Sequence, residues 1–370
     1  MARIGFDASP LIDPAGGVEW HTYHLFRSLF ELDQSDVQFV GYLPAGRGPT
    51  DDYATWVRSG KLQWARRETV WGRWRTRTLA ELDLFHGTNF KLPVQGRRGG
   101  IVTIHDLWLD RFPQYSRKLF GQRSSFFRTR RTARKARRVI AVSRCTASDV
   151  CAFYGLPEDK VVPIPNGVSP GFFVEDNATV SWQALARYPW PSRRFLLFVG
   201  GASPRKNHRL ILNALARCPG LLATHCLVVV GRVQDRSENI TVTAGGLGIQ
   251  DRVLCVGRVS VSELRHLYNL AELFVLPSLY EGFGMPVLEA MACRSPVIIA
   301  NSGALPEVAG DAAIQVDPHD IDGLARALHM VLDNADLRTA LKKKGLARVK
   351  QFAWSESARQ TLDVYRTMCR

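Results

Sequence analysis

The chain has 370 residues, a hydrophobic fraction of 46% and a formal net charge of +15 at pH 7. This length exceeds what one ordinary hydrophobic core serves, so two domains are expected, and the hydrophobic fraction argues against a disordered chain. No apolar run approaches the roughly 18 residues needed to cross a bilayer. Seven scattered cysteines without a C-x-x-C pair make a zinc site unlikely and indicate reduced thiols in a cytosolic protein.

Short apolar runs alternate with helical patterns in the first half of the chain. The runs "RIGFDAS", "VQFVGYL", "LDLFHGTN", "GIVTIHDL", "RRVIAVS" and "KVVPIPNG" predict strands, and "VEWHTYHLFRSLFEL" predicts a helix. This alternation predicts a parallel sheet, in which ligands bind beyond the carboxyl ends of the strands. Several residues directly follow these runs and are expected to line that edge: Gly16, Gly17, His86, Asn89, His105, Asp106, Ser143 and Asn166.

The same pattern restarts after a loop-rich segment with several prolines. The runs "FLLFVGG", "LATHCLVVVG", "DRVLCVGRV", "AELFVLPS" and "SPVIIAN" predict a second doubly wound domain. We therefore expect an N-terminal domain over 1–170, a linker over 171–192 and a C-terminal domain over 193–353. An amphipathic segment over 354–370 closes the chain.

A strand, a glycine pair and two cations come together in "VGGASPRKNHRLIL". The strand is expected to end at Gly200–Gly201 and a helix to begin near Lys206 or Asn207. Glycines let a ligand approach the backbone, and helix N-terminal amides attract anions. Arg205 and Lys206 oppose the helix dipole there but suit a bound diphosphate. The alternative is a pair of surface residues in a loop.

The stretch "PSLYEGFGMPVLEAMA" places Glu281 and Glu289 around a glycine-rich turn in which Phe283 looks exposed. Pro286 suits the first position of a helix, and it disfavours the α conformation for Met285. A carboxylate accepts hydrogen bonds from two adjacent hydroxyls, which sugars supply. One glutamate could thus hold a ribose and the other a hexose. The alternatives are compensation of the helix dipole by Glu289 and a solvated loop position for Glu281.

Other polar motifs are less specific. A histidine at a strand end, such as His105, can be a base, a hydrogen-bond donor or a core residue. The loop "PAGGVEWH" opens a helix and would present amides across the cleft from the two cations. The D-x-D of Asp320 and Asp322 resembles a metal motif, but its position before a helix favours capping. The other histidines lack metal-ligand spacing, so no metal site is predicted.

The positive charge is concentrated between residues 111 and 138, which contain eleven basic residues and no acidic one. Phe120, Phe126 and Phe127 are interleaved with these charges. A basic amphipathic helix with aromatic residues suits an anionic membrane surface. The alternative is a solvated helix face, since a charge run alone is weak evidence of binding.

Taken together, the motifs resemble the retaining GT-B glycosyltransferases of family 4, also called glycosyl transferases group 1. The resemblance covers most of the chain and rests on "GGVE", "TIHDL", "AVSRCTASDV", "PIPNGV", "VGGASPRKN", "FAWSESARQTLDVY" and the E-x7-E of Glu281 and Glu289. It implies an α/β GT-B fold, with two Rossmann-like doubly wound domains facing each other across a cleft. The helix after Trp354 would cross back to the N-terminal domain.

The resemblance also implies roles for matching residues. Arg205 and Lys206 would bind the donor diphosphate and stabilise the leaving group, and Glu289 would hold the ribose. Glu281 and His105 would act on the transferred sugar and count as catalytic with the two cations. The remaining expected contacts are Gly282, Phe283 and Gly284 for the donor sugar, Gly201, Arg258 and Val287 for the nucleotide, and Gly16 and Gly17 for the phosphate or acceptor.

The resemblance further implies transfer of a hexose from a nucleotide diphosphate sugar, without metal or cofactor and with retention at the anomeric carbon. "IVTIHDLWLDRFPQYS" and "LFHGTNFKLP" look most like mannosyl- and related hexosyltransferases of bacterial polysaccharide pathways, which makes GDP-mannose the first donor expected. UDP- or dTDP-sugars are the alternative donors. The acceptor would be a saccharide or a lipid-linked sugar, and the enzyme would be cytoplasmic, or peripheral at the inner membrane face through residues 117–138.

Three other classes compete with this interpretation. A GT-B epimerase or hydrolase would turn over a nucleotide sugar without an acceptor. A nucleic-acid-binding protein would explain the positive charge, but the basic run is local and no binding module is recognised. A catalytically inactive sugar-nucleotide binder is disfavoured by the presence of both glutamates and both cations.

Overall fold

The computed structural model describes residues 1–12, 14, 16–44, 53–70, 73–75, 81–115, 118–119, 122–235 and 238–370. For 67–70, 73–75, 118–119 and 122–127 only the backbone is described. The chain divides into two units, Met1–Gly167 with Ala353–Arg370, and Val168–Phe352. We refer to them as the first and second domains.

The first domain is built on a parallel sheet of short, apolar strands. Its described strands are β1 (Ala2–Asp7), β2 (Val37–Pro44), β3 (Leu62–Val70), β4 (Arg73–Arg75), β5 (Leu84–Gly87), β6 (Gly100–Ile104), β7 (Lys118–Leu119), β8 (Gln122–Arg123), β9 (Arg138–Ala141) and β10 (Val161–Pro163). Within the described residues the sheet has eight strands in the order β10-β9-β6-β5-β1-β2-β3-β4. Among the described strands of this sheet, β4 alone pairs antiparallel, while β7 and β8 form a separate hairpin.

Helices cover this sheet and complete a core in which β1, β5 and β6 are buried. They are α1 (Ser9–Ile12), α2 (Gly17–Glu31), α3 (Ala54–Arg58), α4 (Trp108–Arg111), α5 (Ser124–Lys135) and α6 (Arg144–Tyr154). The last helix of the chain, numbered α16 (Trp354–Cys369), also belongs to this domain and packs on α2. Its Tyr365 is fully buried, and a hydrogen bond of 2.6 Å joins its hydroxyl to His86 Nδ1.

The second domain repeats the architecture. Its strands are β11 (Phe195–Val199), β12 (Cys226–Val230), β13 (Gln234–Asp235), β14 (Glu238–Asn239), β15 (Val253–Gly257), β16 (Leu273–Leu276), β17 (Val297–Ala300) and β18 (Ile314–Val316). In the described part of the chain six of them form a parallel sheet in the order β15-β12-β11-β16-β17-β18. The chain reverses direction across the sheet between β11 and β16, so the loops after these two strands meet at a switch point.

Nine described helices flank the second sheet. They are α7 (Ala178–Ala184), α8 (His208–Ala216), α9 (Pro219–Thr224), α10 (Ile240–Gly246), α11 (Val261–Leu270), α12 (Met285–Ala292), α13 (Leu305–Ala309), α14 (Ile321–Leu332) and α15 (Ala335–Val349). The segment expected to be a linker, 171–192, lies within this domain, because it contains α7, which packs on α11. Asp320 caps α14 by accepting a hydrogen bond from Gly323 N at 2.7 Å, which confirms the capping interpretation.

Two Rossmann-like parallel sheets are therefore present, as the sequence predicts. The strands that sequence reasoning missed are β3, β4, β7, β8, β13, β14 and β18. Most of these lie at a sheet edge or in a two-residue hairpin, where apolar periodicity is short. No helix among the described residues is long and apolar enough to cross a membrane.

Candidate active site

A buried ion cluster lies at the switch point of the second domain. Glu281 is only 5% exposed and follows β16, whereas Arg205 and Lys206 lie in the turn after β11. Arg205 Nη1 donates to Glu281 Oε2 at 2.5 Å, and Lys206 Nζ donates to Oε1 at 2.6 Å. Ser278 Oγ also donates to Oε1 at 2.7 Å. The predicted glutamate and both predicted cations are thus in direct contact.

Charge pairing decides the protonation state of Glu281. Burial alone would raise the pKa of this carboxyl group, but the nearby charges of Arg205 and Lys206 hold it at about 2. Glu281 is therefore ionised at neutral pH, and both of its oxygens are already hydrogen-bonded. The alternative of a solvated loop residue is wrong, because a carboxylate at this depth needs partners of opposite charge.

The backbone around the cluster is built to bring three loops close together. Asn207, which has a positive φ of 53°, donates from its side-chain amide to Pro277 O at 3.0 Å and to Pro318 O at 2.8 Å. Leu279 N donates to Arg205 O at 2.8 Å. Gly303 also has a positive φ, and a Cβ there would lie 2.4 Å from Glu281 O. A side chain at residue 303 would push the glutamate out of place.

The glycine-rich turn is packed against the domain. Phe283 is only 5% exposed, and its ring lies 5.9 Å from that of Phe352, so the expectation of an exposed ring is wrong. Gly284 has a φ of 98° and precedes the first residue of α12, a conformation that favours glycine. The helix starts at Met285, one residue before the predicted start at Pro286.

Glu289 lies on α12 and is half-buried. Its Oε2 accepts a hydrogen bond of 3.0 Å from the hydroxyl of Tyr268 on α11. Burial raises the pKa of Glu289 to about 7, although Tyr268 and the charge of Lys206 oppose the rise. Glu289 is therefore a carboxyl group poised to gain or lose a proton near neutral pH.

The other three residues predicted to contact the nucleotide differ from one another in exposure. Arg258 is exposed directly after β15, and Gly201 lies half-buried beside Arg232. Gly200 makes the closer approach, since a Cβ there would lie 3.0 Å from Lys206 Cγ. Val287 is fully buried, and its N–H donates to Gly284 O at 3.0 Å. A ligand contact at Val287 would therefore need a backbone atom.

A group of buried histidines characterises the first domain. His105 follows β6, is 8% exposed and donates from Nε2 to Thr88 O at 2.7 Å, because a carbonyl can only accept. Its ring lies edge-on to His21, with centroids 4.7 Å apart. Burial lowers the pKa of His105, so the imidazole is neutral near pH 7 and Nδ1 is left as an acceptor.

Several residues expected at the open sheet edge are instead engaged inside the first domain. His86 is fully buried between Thr103 and Tyr365. The side chain of Asn166 accepts from His21 Nδ1 at 2.8 Å, and Ser143 caps α6. Fewer of the predicted residues are therefore available at the sheet edge than expected. Asn89 is exposed and Asp106 is half-buried, while Gly16 and Gly17 are exposed at the start of α2.

Sequence reasoning missed Ser278, Asn207, Gly303 and Tyr268. Ser278 and Gly303 are close enough in the sequence to the E-x7-E motif to have been considered. Tyr268 carries no local signal, since its partner lies on another helix. Among the residues that the structure describes, no group of three or more His, Cys, Asp or Glu side chains could hold a metal ion.

Two Rossmann-like domains, with a charged cluster at the switch point of the second, define a protein of the GT-B class. Residues 15–172 match the family described as Glycosyltransferase Family 4, and residues 183–348 match Glycosyl transferases group 1. The chain belongs to these GT-B glycosyltransferases, as the resemblance predicted, and it is a glycosyltransferase enzyme.

Individual relatives agree with this assignment. The O-antigen chain mannosyltransferase B of Escherichia coli is 29% identical over 289 residues, which are 77% of this chain and 74% of that protein. The serotype-specific mannosyltransferase WbdA of Escherichia coli is 31% identical over 233 residues, which are 62% of this chain but only 28% of that longer protein. The structure of Anabaena HepE in complex with UDP-glucose has a TM-score of 0.75 at 17% identity, covers 99% of this chain and 100% of that one, and supports the fold.

A Glu281→Gln variant tests the ion cluster. We expect it to lower the free energy of unfolding by about 2–3 kcal/mol at pH 7, because two largely buried cations lose their carboxylate. The folded pKa lies below the usual value of 4.5, so the stabilisation is complete above pH 4.5 and declines as the pH falls towards 2.

Urea denaturation of both proteins between pH 8 and pH 3 measures this difference. Glu272→Gln is the matched control, because the pKa of Glu272 is also about 2 but its side chain is 28% exposed. We expect a smaller loss for the control. A stability of Glu281→Gln equal to that of the unmodified protein would contradict the role of the cluster.

Proposed function

We propose that the enzyme transfers mannose from GDP-mannose to a saccharide or lipid-linked acceptor, with retention at the anomeric carbon. The observation that carries the proposal is the convergence of Arg205 and Lys206 on one buried carboxylate at the switch point. Two cations at 2.5–2.6 Å from an anion form a site for oxygen anions, and a diphosphate offers the same chemistry. The mannosyltransferase names of the sequence relatives support mannose as the sugar.

In the proposed mechanism, Arg205 and Lys206 stabilise the negative charge that develops on the departing diphosphate. The bond between the anomeric carbon and the β-phosphate oxygen breaks, and its electron pair stays on the phosphate. The acceptor hydroxyl attacks from the same face, and its proton passes to a phosphate oxygen. Glu281 is a poor candidate for a covalent nucleophile because both of its oxygens are held by hydrogen bonds.

The remaining residues orient the donor in this proposal. Glu289 accepts hydrogen bonds from the ribose, and Glu281 and the 282–284 turn contact the mannose. His105 is a neutral acceptor through Nδ1, so it contacts a sugar hydroxyl rather than acting as a cationic acid. Gly16 and Gly17 present backbone amides to a phosphate or to the acceptor at the start of α2. No metal ion or cofactor enters the proposal.

The donor is tested by comparing the thermal stabilisation caused by GDP, UDP, dTDP and their sugars. Ligands that bind the folded state raise the melting temperature, by an amount that at 100 times Kd corresponds to about 2.7 kcal/mol. We expect the largest increase with GDP and GDP-mannose. A larger increase with UDP or dTDP would contradict GDP and support the alternative donors, in line with the UDP-glucose bound by HepE.

Turnover distinguishes the enzyme classes in the same samples. A transferase consumes the donor much faster once an acceptor is present. Equal consumption without acceptor would support the hydrolase or epimerase alternative. Tight binding to arbitrary DNA with no response to any nucleotide sugar would support the nucleic-acid alternative.

A Lys206→Ala variant tests the role of the cations. We expect a decrease in kcat of roughly 30- to 1,000-fold, because one charge on the leaving group is worth about 2–4 kcal/mol in the transition state. Lys344→Ala is the matched control in the same domain, since Lys344 pairs only at the surface with Asp311. Near-normal transfer by a folded Lys206→Ala protein would exclude this role.

We further propose that the basic helix α5 binds an anionic membrane surface, which would bring the enzyme to a lipid-linked acceptor at the inner face of the cell membrane. Phe120 lies outside the described residues, as do the side chains of Phe126 and Phe127. In the described part, Arg128, Arg131 and Lys135 are exposed, and no acidic residue lies between 111 and 138. Such a surface attracts anionic lipids electrostatically.

Vesicle binding tests this proposal. We expect an Arg128→Gln/Arg131→Gln variant to bind phosphatidylglycerol vesicles at least about 10-fold more weakly, at about 1 kcal/mol for each charge removed. The control, Lys343→Gln/Lys350→Gln, removes the same charge from exposed positions of the second domain. Equal binding to neutral and anionic vesicles would rule out the membrane surface and leave a solvated helix face.

A further inference from the structure

A buried tyrosine holds one oxygen of Glu289. Tyr268 is fully buried on α11, and its hydroxyl donates to Glu289 Oε2 on the neighbouring helix α12. The ring is fixed by edge contacts with Phe172 and Phe274, with centroids 5.8 and 5.4 Å away. A ring held on two sides gives its hydroxyl a defined position, so the carboxylate that accepts from it is also held.

The second oxygen of Glu289 is left available. Within the described residues, the bond from Tyr268 is the hydrogen bond found at the Glu289 carboxylate, and it occupies Oε2 alone. Glu289 is half-buried, whereas Tyr268 is fully buried, so part of the glutamate is accessible. A buried tyrosine hydroxyl needs an acceptor, but a core position could have used a backbone carbonyl. Here the acceptor is a carboxylate at the candidate site.

We propose that Tyr268 is a positioning residue, which orients the Glu289 carboxylate so that its free edge accepts the hydroxyls of the donor ribose. The inference rests on the proposed function, since it assigns the ribose to Glu289. Two adjacent hydroxyls need a carboxylate in one rotamer and in the ionised state. Tyr268 serves both needs, because an O–H donor fixes the rotamer and stabilises the negative charge.

The positioning role of Tyr268 can be measured through its effect on the pKa of Glu289. Burial raises the pKa of Glu289, while the hydrogen bond from Tyr268 and the charge of Lys206 lower it. Cys293, directly after α12, has a pKa raised to about 12 by burial and by the charge of Glu289, so its thiol stays neutral. The other helices packed on α12 carry titratable side chains that include Glu307 on α13 and Lys342 on α15. Neither is among the groups that shift the pKa of Glu289.

The sign of the pH effect follows from these contacts. Ribose binding uses the ionised carboxylate, so affinity for a nucleotide is complete above the pKa of Glu289 and declines as the pH falls through it. Removing the Tyr268 hydroxyl removes an interaction that lowers this pKa. The decline should then begin at a higher pH in Tyr268→Phe than in the unmodified protein.

Calorimetric titration of the full chain with GDP, 2′-deoxy-GDP and inorganic pyrophosphate tests the inference, with UDP and 2′-deoxy-UDP used in the same way if UDP binds better. We expect Tyr268→Phe to bind the ribonucleotide about 5- to 20-fold more weakly, since a hydrogen bond to a charged group is lost. The preference for ribose over deoxyribose should shrink, and the pH midpoint should rise. Pyrophosphate binding should not change.

Tyr188→Phe is the matched control. Its hydroxyl donates to Glu263 at 3.3 Å in the same domain, neither residue belongs to the ion cluster, and loss of the hydroxyl should leave all three readouts unchanged. Phe172→Leu is a second variant, which keeps the Tyr268 hydroxyl but removes one ring that holds it. We expect an intermediate loss of ribose preference, and this variant still tests the inference if Tyr268→Phe does not fold.

Different results would exclude the positioning role of Tyr268 and the ribose-binding role of Glu289. An unmodified protein that prefers ribose, together with a Tyr268→Phe protein that has the same preference and the same pH midpoint, would exclude the positioning role alone. An unmodified protein that binds ribo- and deoxynucleotides equally would exclude the ribose role of Glu289, and the inference with it. An equal loss for all ligands, including pyrophosphate, would show that Tyr268 is only structural.

Discussion

The pairing of one buried carboxylate with two cations is the interaction on which the second domain's site depends. Removing Glu281, Arg205 and Lys206 from water is costly, and their mutual attraction only partly offsets that cost. A well-packed apolar group would stabilise the fold as well. Stability alone therefore does not explain the cluster, which in the proposed function presents two fixed cations to a ligand at the end of a parallel sheet. Its surrounding backbone, including the crowded Gly303, serves that presentation.

The buried polar groups at the candidate sites of the two domains differ in charge. The first domain buries uncharged imidazoles, since burial keeps His21, His86 and His105 neutral and joins them to hydroxyl, amide and carbonyl groups. The second domain buries charges and balances them against one another. Neutral acceptors suit the recognition of sugar hydroxyls, whereas fixed cations suit a leaving group whose charge grows during the reaction. In the proposed function, His105 of the first domain and Glu281 of the second both contact the sugar, while Arg205 and Lys206 act on the phosphate.

Local sequence was sufficient for the architecture but not for the contacts. Buried strands such as β11, β12 and β16 are continuous apolar runs, so their order and the turns after them could be predicted. The burial of Phe283 could not, because it depends on Phe352, almost 70 positions later in the sequence. Tyr268 likewise looks like an ordinary helix residue until α11 packs on α12. The short helix α7 within 171–192 was not predicted, because the surrounding prolines and glycines indicated a loop. The residue types in a motif indicate its chemistry, whereas side-chain contacts between helices can be identified only from the three-dimensional structure.

The left-handed conformation of Asn207 has a consequence for the thermodynamics of binding. Its amide ties the turn that carries both cations to the loops after β16 and β18. A flexible arginine and lysine would each lose rotational freedom when a ligand arrived, at about 0.5–1.5 kcal/mol for each side chain. Here that entropy is lost when the domain folds, together with the strain of a positive φ at a non-glycine residue. In the proposed function, part of the cost of ordering the anion site is thus met when the domain folds, so a variant that loosens this turn weakens ligand binding without altering a residue that contacts the ligand.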